Sequence, residues 1–370
     1  MRMHPVSARE LTDFRSGSST IPVGNRSVGP RYACPSDKGH RMGRSDPATR
    51  ESPWSNAIDV HHHIIPDLYV EELRKIGFAS TLPGVDKPEW RVETSLSMMD
   101  RQGIRAAVVN VWPGVPAVDA VTGARFARRV NEYLAELVAA HPGRLGAFAV
   151  LPLPHLDASL EELAYSTDVL GLDGAGLVTN YGGVYVGDPS LDAFHAEAAR
   201  REIPLFVHPT APPVDQPAFG LPVSLCEFPF ETVRLTAQLL YNRTLDRHPG
   251  LRMILSHGGG GMAYYAARLA CGPLIRADLA ERLPADPIAY LRRLYSDTAM
   301  IGDPHAFPAV RSLASPDRIL VGSDFPFMPE SFSGQGGRYI AEHGGFSAEE
   351  LERIETGNAA DLFPRLAKYQ

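Results

Sequence analysis

Short runs of apolar, β-branched residues alternate along the chain with longer amphipathic ones. The strand-like runs fall at Ala57 to Ile65, Ala106 to Trp112, Arg144 to Leu153, Gly174 to Asn180, Pro204 to Thr210, Arg252 to Gly258, Leu294 to Met300 and Arg318 to Asp324. Between them lie helical patterns such as ARFARRVNEYLAELVAAHPG, which stops at His-Pro-Gly, and PSLDAFHAEAARRE, which starts after Asp188 with a proline. Strands that are apolar on nearly every residue are buried on both faces, as in a parallel sheet covered by helices. Eight of them alternating with helices over residues 57–370 predict a (β/α)8 TIM-type barrel, whose usual size is ~250 residues before insertions. An open doubly wound sheet is the alternative, but it would carry a glycine-rich phosphate turn after its first strand, where this chain has His-His-His-Ile-Ile-Pro.

Residues 1–56 break the pattern. They are rich in Arg, Ser, Pro and Gly without apolar periodicity, and read as a flexible, disordered leader or an over-long start. The remainder, residues 57–370, is expected to be one barrel domain.

Composition narrows the chemistry. The 370 residues are 44% hydrophobic and 21% charged, with 36 basic and 43 acidic side chains and a formal net charge of −7. No basic field exists to hold nucleic acid or anionic lipid, and no apolar run is long enough to span a membrane. Cys34, Cys226 and Cys271 are too scattered for a disulfide framework or a zinc knuckle, consistent with a cytoplasmic, reducing setting. Lysine is almost missing: Lys38, Lys75, Lys87 and Lys368 are the only four. The stretch between Lys87 and Lys368 can therefore supply no Schiff-base, P-loop or carbamylated bridging lysine.

Candidate chemistry gathers at the strand ends. His61 and His63 are two apart on a strand and project together, while His62 points the other way. Two imidazoles on one face make half a metal site. His208 in FVHP, His257 in SHGGGG and Asp324 in GSDFP each follow an apolar run, where a barrel strand reaches its catalytic rim. Five metal-competent side chains at four strand ends are hard to read as structural.

With DVHHHIIP, FVHP, SHGGG and GSDFP in this order, the chain resembles the amidohydrolase superfamily, in its branch typified by aminocarboxymuconate-semialdehyde decarboxylase. The segments WRVETSLSMMDRQGI and EFPFETV are most similar to salicylate-type decarboxylases acting on 6-methylsalicylate. The resemblance covers about Ala57 to Phe363. It implies one divalent metal, zinc or manganese, held by His61, His63, His208 and Asp324, with His257 and Asp324 as the acid–base candidates. It also implies a small-molecule substrate and a homodimer. Binuclear members of the superfamily need a bridging ligand after the fourth strand, and the lysine gap excludes the lysine version, which leaves a mononuclear site. Further candidates are Arg91 as a fork for a substrate carboxylate, Asn180, Tyr181 and Phe327 as pocket walls beside Trp112, Phe325 and Pro326, and Glu231 as either the group orienting His257 or an exposed first-turn glutamate. The run Gly258 to Gly261 either brings backbone close to the site or opens a helix. Two reactions stay open on these residues: non-oxidative decarboxylation of a small aromatic or unsaturated acid, and hydrolysis of an ester, thioester, lactone or amide. A non-catalytic metal-binding barrel is the third reading.

Overall fold

The computed structural model describes residues 52–78, 87–217 and 219–369. Eight strands run β1 (Ala57–Ile64), β2 (Ile104–Val111), β3 (Leu145–Val150), β4 (Gly174–Val178), β5 (Pro204–His208), β6 (Arg252–Leu255), β7 (Tyr295–Asp297) and β8 (Ile319–Leu320). Each pairs in parallel with the next in sequence order. The ring closes where the amides of Val60 and His63 donate to the carbonyls of Val321 and Phe325, at 2.9 and 2.7 Å. The barrel is the predicted one.

Its interior is filled by Ile58, Val60, Ala106, Val108, Phe148, Phe206, Ile254 and Leu320, with Leu362, Phe363 and Leu366 of the chain's last helices packed against the same cluster. Outside the ring, the opposite strand faces pack on helices. The longest of these, α3 (Ala120–Ala140), buries Phe126, Ala127, Val130, Leu134 and Leu137, an i, i+3/i+4 stripe. Asp119 caps its start by accepting from the amides of Val121 and Thr122. Other helices around the ring include α1 (Asp67–Lys75), α2 (Val92–Gln102), α4 (Leu156–Asp168), α5 (Asp192–Arg200) and α6 (Val223–Tyr241). Among the described residues no helix is long and apolar enough to cross a membrane.

Three boundaries differ from the sequence pattern. Strands β6 and β8 stop at Leu255 and Leu320, so His257 and Asp324 lie in the turns that follow. Trp54, assigned to the leader, is buried in the outer core and donates its amide to Gln102. Asn56 likewise accepts from the Thr356 hydroxyl at 2.8 Å. The packed chain therefore starts before Ala57; the rest of the expected leader lies outside the described residues.

Candidate metal centre

Strict alternation along β1 would place His61 on the outer face with Ala57 and Asp59. The strand avoids this with a bulge: Asp59 pairs with Ala107 and His62 with Val109, three steps against two. The extra residue lets Val60 and His61 both face inward, so that His61 and His63 project into the barrel above Val60 while Asp59 and His62 share the outer face. His62 Nδ1 stands 3.0 Å from Asp59 Oδ2. On the inner face the His61 ring meets Phe206 at 5.0 Å and His208 at 5.1 Å between centroids.

Asp324 joins them from the turn after β8. Its Oδ1 is 3.2 Å from His61 Nε2 and 3.1 Å from His63 Nε2, and those two nitrogens are 3.0 Å apart. One ligand atom from each of His61, His63, His208 and Asp324 lies within 4.8 Å of all the others. Asp324 Oδ2 turns the other way, 3.5 Å from His257 Nε2. Both Asp324 (φ 58°) and His257 (φ 53°) have left-handed backbone, a conformation that costs a non-glycine residue about 1–3 kcal/mol and survives where its surroundings enforce it. The amide of Asp324 donates to the His61 carbonyl at 2.9 Å, tying the two ligands together through backbone.

Outer groups fix which nitrogen each imidazole presents. His61 Nδ1 bonds Asp297 Oδ2 at 2.6 Å, and His208 Nδ1 bonds the Pro209 carbonyl at 2.7 Å, so both turn Nε2 inward. Asp297 is held in turn by the amide of Ala299. It was not among the sequence candidates. Gly322 makes the meeting of His61 and Asp297 possible: a Cβ there would stand 2.9 Å from His61 Cβ and 3.0 Å from Asp297 Cβ.

Burial alone would lower the pKa of His61, but Asp297 and Asp324 outweigh it and push the imidazole up to about 10. Burial brings His63 down to about 4, and burial with the neighbouring imidazoles holds His208 well below its ordinary value. Burial would raise Asp324, yet the charge on His61 and hydrogen bonds from His257, His61 and His63 hold its carboxyl well below the usual range. Three imidazole nitrogens and a carboxylate oxygen converge in a buried pocket, an arrangement that calls for a positive charge between them. An N3O donor set with outer-shell partners fits a single zinc or manganese ion.

Aromatic rings wall the cluster. Trp112 lies 5.2 Å from His208 and 5.4 Å from Phe327, and Phe327 lies 5.1 Å from His63. Phe228 completes the wall at 5.8 Å from both Trp112 and His208. Phe325, expected in this pocket, packs instead on His62.

The remaining candidates take other places. Glu231 neither orients His257 nor stands exposed in a first turn. It is buried within α6, accepting from Asn180 Nδ2 at 2.9 Å, the Tyr185 hydroxyl at 2.9 Å and Arg234 Nη1 at 2.6 Å. Asn180 Nδ2 also donates to the Ala211 carbonyl, so this cluster braces the loop that follows His208. Tyr181 is buried, with its hydroxyl accepting from the Val178 amide. Arg91 is exposed at the start of α2, its amide on Thr94 Oγ1, with no bond to the metal cluster among the described residues. Gly260 (φ 58°) packs against α6, where a Cβ would meet the Pro229 carbonyl at 2.9 Å; the glycine run serves this contact and opens the helix Met262–Ala270.

Comparison with known proteins decides the family: the amidohydrolase family model matches residues 58–365. The chain belongs to the amidohydrolase family. Among amidohydrolase relatives, decarboxylase macB of Penicillium terrestre is 34% identical over 84% of this chain and 95% of its own. The 6-methylsalicylic acid decarboxylase acuB of Aspergillus aculeatus is 34% identical over 84% and 97%. The fold is shared with a solved dihydroxybenzoic acid decarboxylase from Polaromonas sp. JS666 with bound manganese and the inhibitor 2-nitroresorcinol, at a TM-score of 0.68 and 21% identity over 84% of this chain and 97% of that one.

Proposed function

We propose that this amidohydrolase is a metal-dependent, non-oxidative decarboxylase of a small aromatic acid of the 2-hydroxybenzoate type, such as 6-methylsalicylate. The likeness to a 6-methylsalicylic acid decarboxylase along nearly the whole barrel carries the reading, since it favours carbon dioxide loss over hydrolysis on a ligand set common to both. A divalent ion held by His61, His63, His208 and Asp324 would draw negative charge from the substrate's carboxylate and adjacent hydroxyl. The aromatic wall of Trp112, Phe228 and Phe327 suits a flat ring.

Between the two acid–base candidates the geometry favours His257. Asp324 belongs to the ligand cluster, with Oδ1 3.2 and 3.1 Å from the Nε2 atoms of His61 and His63, which leaves His257 as the acid–base candidate outside the ligand set. His257 Nε2 is buried and faces the cluster, 3.5 Å from Asp324 Oδ2. In the reaction, protonated His257 gives its proton to the ring carbon that bears the carboxylate. The bond from that carbon to the carboxylate then breaks, its electron pair restores aromaticity, and carbon dioxide leaves.

Turnover of a panel of 2-hydroxybenzoates in deuterium oxide tests this. Product should carry one deuterium at the former carboxylate position, with an equal amount of carbon dioxide. His257→Asn should keep the metal and lose turnover, whereas His208→Ala should lose the metal. Release of acid from an ester, thioester or lactone, with no carbon dioxide from any hydroxybenzoate, would overturn the decarboxylase in favour of a hydrolase.

A further inference from the structure

We infer that Asp59, which is not a ligand, is a positioning residue for the metal centre, acting on Asp324 through Ser323 and on His61 through its backbone. The carboxylate is fully buried on the outer face of β1. Its Oδ1 accepts the His61 amide at 3.0 Å and the Ser323 amide at 3.1 Å. Its Oδ2 accepts the Ser323 hydroxyl at 2.6 Å and His62 Nδ1 at 3.0 Å. Four donors surround one carboxylate, and three of them belong to the ligand His61 or to the residue just before the ligand Asp324.

The left-handed backbone of Asp324 is held by three consecutive amides. That of Ser323 goes to Asp59, that of Asp324 to the His61 carbonyl, and that of Phe325 to Ser323 Oγ at 3.2 Å. Removing Asp59 releases the first and unpins the Ser323 hydroxyl that accepts the third, whereas removing that hydroxyl abolishes the third and takes one donor from Asp59. Barrel closure does not depend on either, because Val60 and His63 supply their own backbone bonds to Val321 and Phe325. What the clamp adds is the placement of the two ligands relative to each other.

A relay behind the clamp sets its polarity. Trp90 Nε1 can only donate, and it gives its hydrogen to Ser95 Oγ at 2.9 Å. Ser95 then gives its own hydrogen to His62 Nε2 at 2.8 Å, which leaves the imidazole proton on Nδ1, aimed at Asp59. With every neighbour a donor, the position calls for a carboxylate; an amide would set a donor against a donor.

The inference rests on the ligand cluster and not on which reaction it performs. The test uses cobalt(II) as the probe in the full-length protein, with affinity measured by competition against a chelator and geometry read from the visible absorption bands. Ser323→Ala and Asp59→Asn should each weaken cobalt binding by about 10–100-fold, the range found for outer-shell partners of metal ligands, and should shift the bands. Ser95→Ala, two bonds further out, should shift them in the same direction by less. If Asp59→Asn does not fold, the serine variants carry the test. Cobalt affinity within about twofold of the wild type with unmoved bands, even at a lowered melting temperature, would reduce the clamp to a structural role and overturn the inference. A wild-type protein that binds no cobalt would overturn the cluster and the inference together, whereas loss of the decarboxylase reading alone would leave both intact.

Discussion

Among the three inward imidazoles, His61 stands between two carboxylates, with Asp297 at Nδ1 and Asp324 at Nε2, and is pushed up to about 10 while His63 falls to about 4. In the metal-free protein the Nε2 proton of His61 therefore occupies the place of a cation. Bound metal must displace it. Between pH about 6.5 and about 10, one proton per ion should be released, and affinity should rise about tenfold per pH unit. Calorimetry in buffers of different ionisation enthalpy measures this; release of no proton at pH 8 would contradict it. The same values fix the sign of metal-free stability. His61, raised above its unfolded value, contributes fully below about pH 6.5 and loses its contribution as pH rises through 10. His63, lowered, costs stability as pH falls from 6.5 towards 4. The site's contribution should thus peak near pH 6.5, seen as the pH dependence of metal-free melting. Asp297→Asn should lower metal affinity by about 10–100-fold while leaving the four ligands in place, checked by chelator competition. The ligands themselves were legible because their residue types sit where apolar runs end. Asp297 was not, because the three-residue β7 offers almost no apolar run before it to mark it as a rim position.

At the scale of elements, the phase of β1 decides the site. The H-x-H spacing told that His61 and His63 share a face, but not that the face is the inner one; that depends on one extra residue paired against β2, which periodicity alone does not reveal. The turns after β6 and β8 were similarly hidden, since left-handed histidine and aspartate follow their strands without a break in the sequence pattern. Glu231 was misplaced for a different reason. α6 starts at Val223 and carries Pro229 inside it, which makes Glu231 a buried mid-helix brace and not an exposed first-turn residue. Close approach between β8 and its neighbours gives a direct test. Gly322→Ala puts a methyl group against His61 and Asp297, so it should cost about 1–3 kcal/mol of stability and weaken metal binding together. Paired melting and chelator titrations check it, and an unchanged metal affinity would show that the strands can spread without moving the ligands.

For the whole molecule, the barrel was legible from the alternation of buried strands and amphipathic helices, because each parallel strand needs a crossover and each crossover left its own stripe. The start of the fold was less so: Trp54 stands alone in a polar stretch, and a single aromatic residue carries no period. The ligands come from β1, β5 and the turn after β8, the first and last strands of the ring among them. That arrangement has a bearing on time. The contact between His61 and Asp324 closes one of the longer loops in the chain, so it should form late in folding and be lost early in unfolding. An ion binding there acts as a rivet driven after assembly: it should leave refolding nearly as fast without metal as with it, and should slow unfolding sharply. Stopped-flow measurements on metal-free and metal-loaded protein would show the difference in the unfolding limb. During synthesis the same geometry means that no partial chain can hold the ion in its complete ligand set until the strand and turn bearing Asp324 have left the ribosome.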